Sequence, residues 1–144
     1  IRIELLCQES IAIGFADAGS WHSVTLVSIL PTVADMKALR IGRSIHSYAF
    51  KSGFESLVNV TNALLDMYFK HGHTRTQRLV FEVMSSKSVV SWNTMINGYA
   101  QNGESEDTFA TFLKMLDEGK VPTHVTMMGA LLHSNNELFN IHVF

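Results

Sequence analysis

The sequence is short of the residues that build many kinds of chemical site. It holds a single cysteine, Cys7, among 144 residues. One cysteine excludes an internal disulfide and any multi-cysteine metal site. There is no glycine-rich phosphate loop, no paired-carboxylate site and no Ser/His/Asp pattern, and Cys7 lies in no recognisable nucleophile motif. We therefore expect no enzymatic activity and no cofactor.

Positive charge is also scarce. The chain has 11 Lys and Arg against 13 Asp and Glu, which gives a formal net charge of −2. A free-standing nucleic-acid binder needs clustered Lys and Arg for its phosphate contacts, so composition argues against strong RNA affinity of the isolated chain. No apolar run is long enough to span a membrane. We expect neither a membrane nor a small-molecule substrate as a partner.

What the sequence does contain is a passage that nearly repeats itself. The segment that begins at Val58 aligns with the segment that begins at Val89, and five pairs of residues match: Asn62/Asn93, Tyr68/Tyr99, Gly72/Gly103, Phe81/Phe112 and Met84/Met115. A period in the range of about 20–50 residues marks a helical-repeat solenoid. The sequence therefore predicts an all-α fold of stacked helix hairpins, with function on a shared groove.

Each copy has the pattern of one helix hairpin. In the second copy, apolar residues recur at helical spacing from Val90 to Tyr99, and Gly103 stops that helix. Ser105, with acidic residues after it, predicts the N-terminus of the next helix. We expect its apolar face to consist of Phe109, Phe112, Leu113 and Leu116. Glycine tolerates a left-handed C-cap, so we expect that conformation at Gly72 and Gly103.

Similar openings upstream and downstream extend the repeat. A Val-Thr pair followed by an apolar run occurs at 24–30 and again at 125–132. The predicted repeats are 23–57, 58–88, 89–123 and a partial repeat at 124–144, after a degenerate remnant of a preceding repeat at 1–22.

Three segments resemble repeats of the pentatricopeptide repeat family. VVSWNTMINGYAQNG at 89–103 resembles its standard repeat, and NALLDMY at 62–68 resembles its short repeat. GRSIH at 42–46, running on to KSGF at 51–54, resembles the second helix of its long repeat. This order resembles the plant class in which long, short and standard repeats alternate. It implies a long-type repeat at 23–57, a short-type repeat at 58–88, a standard repeat at 89–123 and a partial long-type repeat with a divergent tail at 124–144.

The resemblance implies recognition of single-stranded RNA, one base per repeat, in the groove of a right-handed superhelix. In such repeats an early residue of the first helix and the last residue of the repeat contact the base edge. These pairs are Asn62 with Ser88 and Asn93 with Thr123. An amide and a hydroxyl each donate and accept hydrogen bonds, as reading a base edge requires. By resemblance, Asn62 with Ser88 reads cytosine, and Asn93 with Thr123 is a less clear pyrimidine reader.

Other positions favour plainer interpretations. Val27 and Leu57 occupy the reading positions of the long repeat and offer no side-chain hydrogen bond, so that repeat is expected to act as a spacer; Met128 has the same consequence. An asparagine early in a helix also serves as a cap or faces solvent. Trp92 has the helical spacing of a core residue, although an indole could stack on a base. His71 and His73 have a metal-like spacing but fall at a predicted solvated turn.

The resemblance also implies a setting. Related plant proteins take part in organellar RNA processing and cytidine-to-uridine editing, so we expect a mitochondrion or chloroplast and other RNA-editing proteins as partners. No basic transit peptide and no deaminase domain is visible in the sequence. Both ends leave the repeat pattern, which predicts a fragment or a truncated gene product. A tetratricopeptide-like protein scaffold and a repeat remnant without activity stay open as alternatives.

Overall fold

The computed structural model of the chain describes residues 22–133. Within that range the chain forms seven α-helices and one short 3-10 helix, and it forms no strand. The helices are α1 (Ser23–Asp35), α2 (Leu39–Lys51), α3 (Val58–Lys70), α4 (Thr74–Val83), α5 (Val89–Gln101), α6 (Ser105–Asp117) and α7 (His124–His133); the 3-10 helix is Phe54–Ser56. The predicted all-α class is confirmed. The predicted remnant before His22 and the divergent tail after His133 lie outside the described residues.

The chain divides into two compact units after His73. In the first unit α1 packs against both α2 and α3. In the second unit α5 packs against α4, α6 and α7. In each unit the first helix of one hairpin therefore packs against the first helix of the next, which is the arrangement expected of stacked hairpins. The right-handed superhelix stays a prediction.

The core of the first unit is aliphatic. Its fully buried side chains come from all three helices and include Leu26, Leu30, Val33, Ile45 and Leu64, each 0% exposed. Burying a side chain of this size stabilises a fold by roughly 1.5–3 kcal/mol. These helices therefore owe their positions to packing.

The core of the second unit is built around an aromatic pair. Trp92 is 1% exposed, and its ring meets Phe81 edge to face with 4.9 Å between ring centroids. Edge-to-face pairs contribute about 0.5–1.5 kcal/mol beyond their buried area. Trp92 is thus a core residue, and that interpretation of its helical spacing is confirmed.

One predicted apolar face differs from the observed one. Helix α6 buries Phe109, Phe112 and Met115, whereas Leu113 and Leu116 are 39% and 42% exposed. The prediction was wrong for both leucines because the buried stripe also uses Thr108, which shifts it by about one residue around the helix. A threonine can join this stripe because its hydroxyl donates to the Glu104 carbonyl, 2.8 Å away.

Both glycines of the repeated passage take the conformation predicted for them. Gly72 has a φ of 73° and Gly103 a φ of 76°. The residue after each glycine donates its N–H back to a tyrosine carbonyl, His73 to Tyr68 and Glu104 to Tyr99, at 2.9 Å in each case. This hydrogen bond is typical of a helix closed by a left-handed residue.

The start of α6 departs slightly from expectation. The helix begins at Ser105, but the capping position falls on Glu104, whose side chain makes no capping hydrogen bond. The expected acidic first turn is present as Glu106 and Asp107. Among residues 22–133, no helix combines the length and the apolar character needed to cross a membrane.

Candidate functional site

Asn93 and Thr123, the two predicted reading residues of the predicted standard repeat, lie together in the second unit. Asn93 projects from the first turns of α5 and donates from Nδ2 to Thr123 Oγ1 at 3.2 Å. A third residue completes the contact, because the hydroxyl of Thr126 donates to Asn93 Oδ1. We call Asn93, Thr123 and Thr126 the Asn93 cluster. Both ends of the Asn93 amide are held, so the side chain presents one fixed orientation.

The start of helix α7 explains why the two threonines meet. The Thr123 N–H donates to Thr126 Oγ1 at 2.9 Å, and the Thr126 N–H approaches Thr123 Oγ1 at 3.5 Å. This reciprocal pattern is a capping box made of two hydroxyl residues. Helix α5 opens in the same way, with Ser88 as its cap and Ser91 as the partner. Sequence reasoning did not assign Thr126 to the site, although the shared spacing of hydroxyl residues was a signal that could have found it.

The second predicted pair is distributed over the two units. Asn62 lies on α3 in the first unit and is half-buried. Ser88 caps α5 in the second unit, accepting a hydrogen bond from the Ser91 N–H at 3.3 Å. Ser88 therefore has a structural role at a helix terminus. Its pairing with Asn62 stays a prediction.

The predicted long repeat has an apolar pocket at the register where the predicted standard repeat has the Asn93 cluster. This open pocket has a volume of about 360 Å³ and lies between α1 and the start of α3. It is lined by Val24, Val27, Leu57, Val58 and Val60, together with Ser23, Ser28 and Asn59. Val27 and Leu57 are the predicted reading positions, and neither side chain can donate or accept a hydrogen bond. Neither side chain can therefore form a hydrogen bond with a base edge.

Charge around the first helices is low. Among α1, α3, α5 and α7, the only Lys or Arg is Lys70, at the end of α3. Its ammonium group lies 3.3 Å from Asp66 and 3.6 Å from Asp35. Burial alone would lower the pKa of Lys70, but these carboxylates outweigh it and raise that pKa. Lys70 thus has much of its charge balanced within the protein.

Within residues 22–133, most other basic side chains lie on second helices. Arg40, Arg43 and Lys51 are on α2, and Arg75 and Arg78 are on α4. Arg78 donates from Nε to the Tyr99 hydroxyl at 2.7 Å and from Nη2 to Asp107 at 2.6 Å. The hydrogen bond with Tyr99 is the main reason that the pKa of Arg78 is raised. This network ties α4 to α5 and α6.

Tyr68 makes a different contact in the first unit. Its hydroxyl lies 2.7 Å from Nδ1 of His46, and the two rings meet edge to face with centroids 5.5 Å apart. Burial lowers the pKa of His46 below its ordinary value of 6.5, although Glu55 acts in the opposite direction. Burial also raises the pKa of Tyr68. A neutral His46 beside a neutral Tyr68 is therefore the favoured state near neutral pH.

The two histidines at the predicted turn show no metal geometry. His71 lies at the end of α3, where its Nδ1 is 2.7 Å from the Met67 carbonyl oxygen. Across residues 22–133, no group of three His, Cys, Asp or Glu side chains is placed to hold a metal ion. A ring N–H donating to a terminal carbonyl is a C-cap contact.

The repeat seen in sequence and structure has a counterpart among known proteins. The sequence model of the PPR repeat family matches residues 87–131. A pentatricopeptide repeat-containing protein of Arabidopsis thaliana, named as chloroplastic, is 43% identical over 129 residues. The chain belongs to the pentatricopeptide repeat family. The matched span 87–131 contains all three residues of the Asn93 cluster.

Other pentatricopeptide repeat proteins of Arabidopsis thaliana are similar over shorter spans. One named as mitochondrial is 36% identical over 108 residues, which is 75% of this chain and 14% of the relative. Another, whose name gives no compartment, is 42% identical over 109 residues, or 74% of this chain and 22% of the relative. The chloroplastic relative is matched over 90% of this chain and 15% of its own length. The chain thus spans only a small part of the pentatricopeptide repeat proteins it matches.

Proposed function

We propose that this chain binds single-stranded RNA along its first helices and recognises a pyrimidine with Asn93 and Thr123. The observation that carries the proposal is the hydrogen bond between these two side chains, which come from opposite ends of one repeat. A pair assembled in this way offers an amide and a hydroxyl at one point of the surface. Such groups suit the Watson–Crick edge of an unstacked base.

Capacity for further hydrogen bonds supports this role. Asn93 has two amide protons and two carbonyl lone pairs, and the cluster engages one of each. One N–H and one lone pair therefore remain for a ligand. Thr123 is an exposed residue, so the cluster lies at the surface of the repeat.

The remaining repeats receive roles by register. We propose a long-type repeat at 23–57, a short-type repeat at 58–88, a standard repeat at 89–123 and a partial long-type repeat at 124–144. The pairs α1/α2 and α5/α6 fall inside the first and third of these ranges. We further propose that Asn62 with Ser88 reads cytosine, and that the long repeat spaces its neighbours because Val27 and Leu57 cannot hydrogen-bond.

The low charge of the first helices limits the expected affinity for RNA. With Lys70 balanced by two carboxylates, few phosphate contacts are available there. The slope of log affinity against log salt is about −0.7 for each phosphate contacted on a single strand, so a shallow salt dependence is expected. Two reading repeats give weak affinity, at about 1–3 kcal/mol for each stacked base.

The biological setting follows from the relatives. Names that include a chloroplastic and a mitochondrial protein support an organellar location. We propose that the chain supplies target recognition, and no chemistry, to a plant organellar protein of RNA processing or cytidine-to-uridine editing. Other RNA-editing proteins would be its partners.

The test is binding of the folded chain to labelled U, C and A oligonucleotides of equal length across a salt series. Asn93→Ala should reduce the preference for pyrimidines by roughly fivefold while the helical signal is unchanged. Asn102→Ala is the matched control, since Asn102 is an exposed residue just past the end of α5. Equal affinity for U and A, or no binding by well-folded protein, would overturn the proposal and favour a protein-binding scaffold or an inactive remnant.

A further inference from the structure

Thr126 is a buried polar residue with an unusual set of partners. Its relative exposure is 0%, and it lies at the start of α7. A buried hydroxyl without hydrogen bonds would cost about 1–3 kcal/mol, so its partners matter. The partners are Asn93 and Thr123, the two residues proposed to contact RNA.

The direction of each hydrogen bond limits what the cluster can do. Thr126 Oγ1 accepts the Thr123 N–H and gives its own proton to Asn93 Oδ1. Asn93 Nδ2 then donates to Thr123 Oγ1. Because Thr126 supplies the donor for Oδ1, it favours the amide orientation in which Nδ2 faces Thr123. After a 180° rotation of the amide, Thr126 Oγ1 would have to accept from Nδ2 as well as from the Thr123 N–H, and its proton would have to turn to Thr123 Oγ1, 3.2 Å away.

We propose that Thr126 is a positioning residue for base recognition, which fixes the orientation of the Asn93 amide without itself contacting RNA. This inference rests on the proposed function, since it concerns how the same cluster reads its base. A fixed amide pays less conformational entropy when it binds, and it presents its free donor and acceptor in one order. The base-reading site therefore consists of three residues, and the following repeat contributes the third.

The register of the other repeats extends the inference. Ser91 is the third residue of the predicted repeat 89–123, as Thr126 is the third residue of 124–144. Ser91 is also a hydroxyl residue with 0% exposure. After the predicted long repeat the same position, in the repeat 58–88, holds Val60, which lines the apolar pocket with Val27 and Leu57. In sequence, a hydroxyl residue thus follows the last residue of each predicted reading pair by three positions, whereas a valine follows the last residue of the predicted spacer.

The experiment compares Thr126→Val, Thr126→Ser and wild type. Valine keeps the size of threonine and removes the hydroxyl, whereas serine keeps the hydroxyl. Thr108→Val is the control, because Thr108 is equally buried but its hydroxyl donates to the Glu104 carbonyl within its own helix. Two quantities are measured: the ratio of affinities for U and A oligonucleotides, and the NMR signals of the Asn93 side-chain amide in the free protein.

We expect Thr126→Val to lower the U-to-A affinity ratio roughly threefold to tenfold and to shift or broaden the Asn93 amide signals. Thr126→Ser should restore both, and Thr108→Val should change neither. Unchanged Asn93 signals in folded Thr126→Val, or a serine variant that behaves like valine, would overturn the positioning role. The NMR measurement needs no RNA, so it decides this role even if wild type shows no preference and the proposed function fails.

Discussion

The two units carry opposite chemistry at the same register of their repeats. In the first unit Val27, Leu57 and Val60 line an apolar pocket between α1 and α3. In the second unit the equivalent residues are the Asn93 cluster, joined by hydrogen bonds between α5 and α7. The first helices of consecutive hairpins pack together in both units. The fold therefore does not depend on whether the side chains at this register are apolar or polar. The difference shows that the scaffold and the proposed reading residues are separable.

A second contrast concerns two matched tyrosines. Tyr68 meets His46 on α2, whereas Tyr99 meets Arg78 on α4. Histidine changes its charge near neutral pH and arginine does not. The units should therefore respond differently to acid even though the tyrosines occupy the same place in the repeat.

The largest effect should come from removing the aromatic core of the second unit. Trp92→Ala is expected to lower the free energy of unfolding by about 3–5 kcal/mol, because it leaves a large cavity against Phe81. Val90→Ala on the same helix should cost little, since Val90 is 59% exposed. Urea unfolding with hydrogen exchange resolved by residue would locate the loss. If Trp92→Ala kept full stability and lost only RNA affinity, the indole would be a base platform and its assignment to the core would be wrong.

Transplanting the cluster should give the next largest effect. A double variant, Val27→Asn with Leu57→Thr, carries the two predicted reading residues into the long repeat, and a triple variant adds Val60→Thr. If a reader needs three residues, the triple variant should gain about threefold more base discrimination than the double variant.

The transplant is measured by the affinities of each variant for U and A oligonucleotides, with circular dichroism as the check on folding. Val60→Thr alone is the control for a buried hydroxyl at that position. Equal discrimination by the folded double and triple variants would show that two residues suffice.

Acid should destabilise the first unit more than the second. Because burial depresses the pKa of His46, the unfolded chain binds more protons than the folded one between that depressed pKa and 6.5. Stability from this site is present above about pH 6.5 and is lost as the pH falls below it. As the pH falls below about 6.5, protection from hydrogen exchange should decrease more in the first unit than in the second. His46→Gln should remove that pH dependence. A loss confined to the second unit would contradict the account.

The smallest effect is expected at the ion pair of Arg78 and Asp107. Both side chains are more than 40% exposed, at 47% and 44%, so solvent weakens their attraction. Asp107→Asn should change the free energy of unfolding by about 0–1 kcal/mol. Thermal unfolding at low and high salt would measure it. A loss of several kcal/mol would mean that this exposed ion pair stabilises the second unit as much as the aromatic core does.

Sequence reasoning was strongest where local patterns decide the outcome. The repeated passage predicted the helices, and glycine predicted the left-handed ends of α3 and α5, since few other residues adopt that conformation cheaply. It was weaker for Leu113 and Leu116, because burial depends on the packing partner and a threonine can share a buried face. The predicted reading role of Asn93 and Thr123 stays a prediction.

The contribution of Thr126 was the hardest to foresee. Its hydroxyl acts across helices, on a residue of the preceding repeat. The shared spacing of hydroxyl residues singles out Thr126 in the sequence but does not reveal that contact. A threonine near a helix start is adequately explained by capping alone. Only the arrangement of α5 and α7 brings it to Asn93.

The most direct test of the central claim is an NMR titration of the folded chain with a short U oligonucleotide, following the side-chain amide of Asn93. We predict saturable movement of that signal, with little movement for the exposed amide of Asn102 and less for the same titration with an A oligonucleotide. Saturable binding that leaves the Asn93 signal in place, or that moves it equally for U and A, would contradict the account.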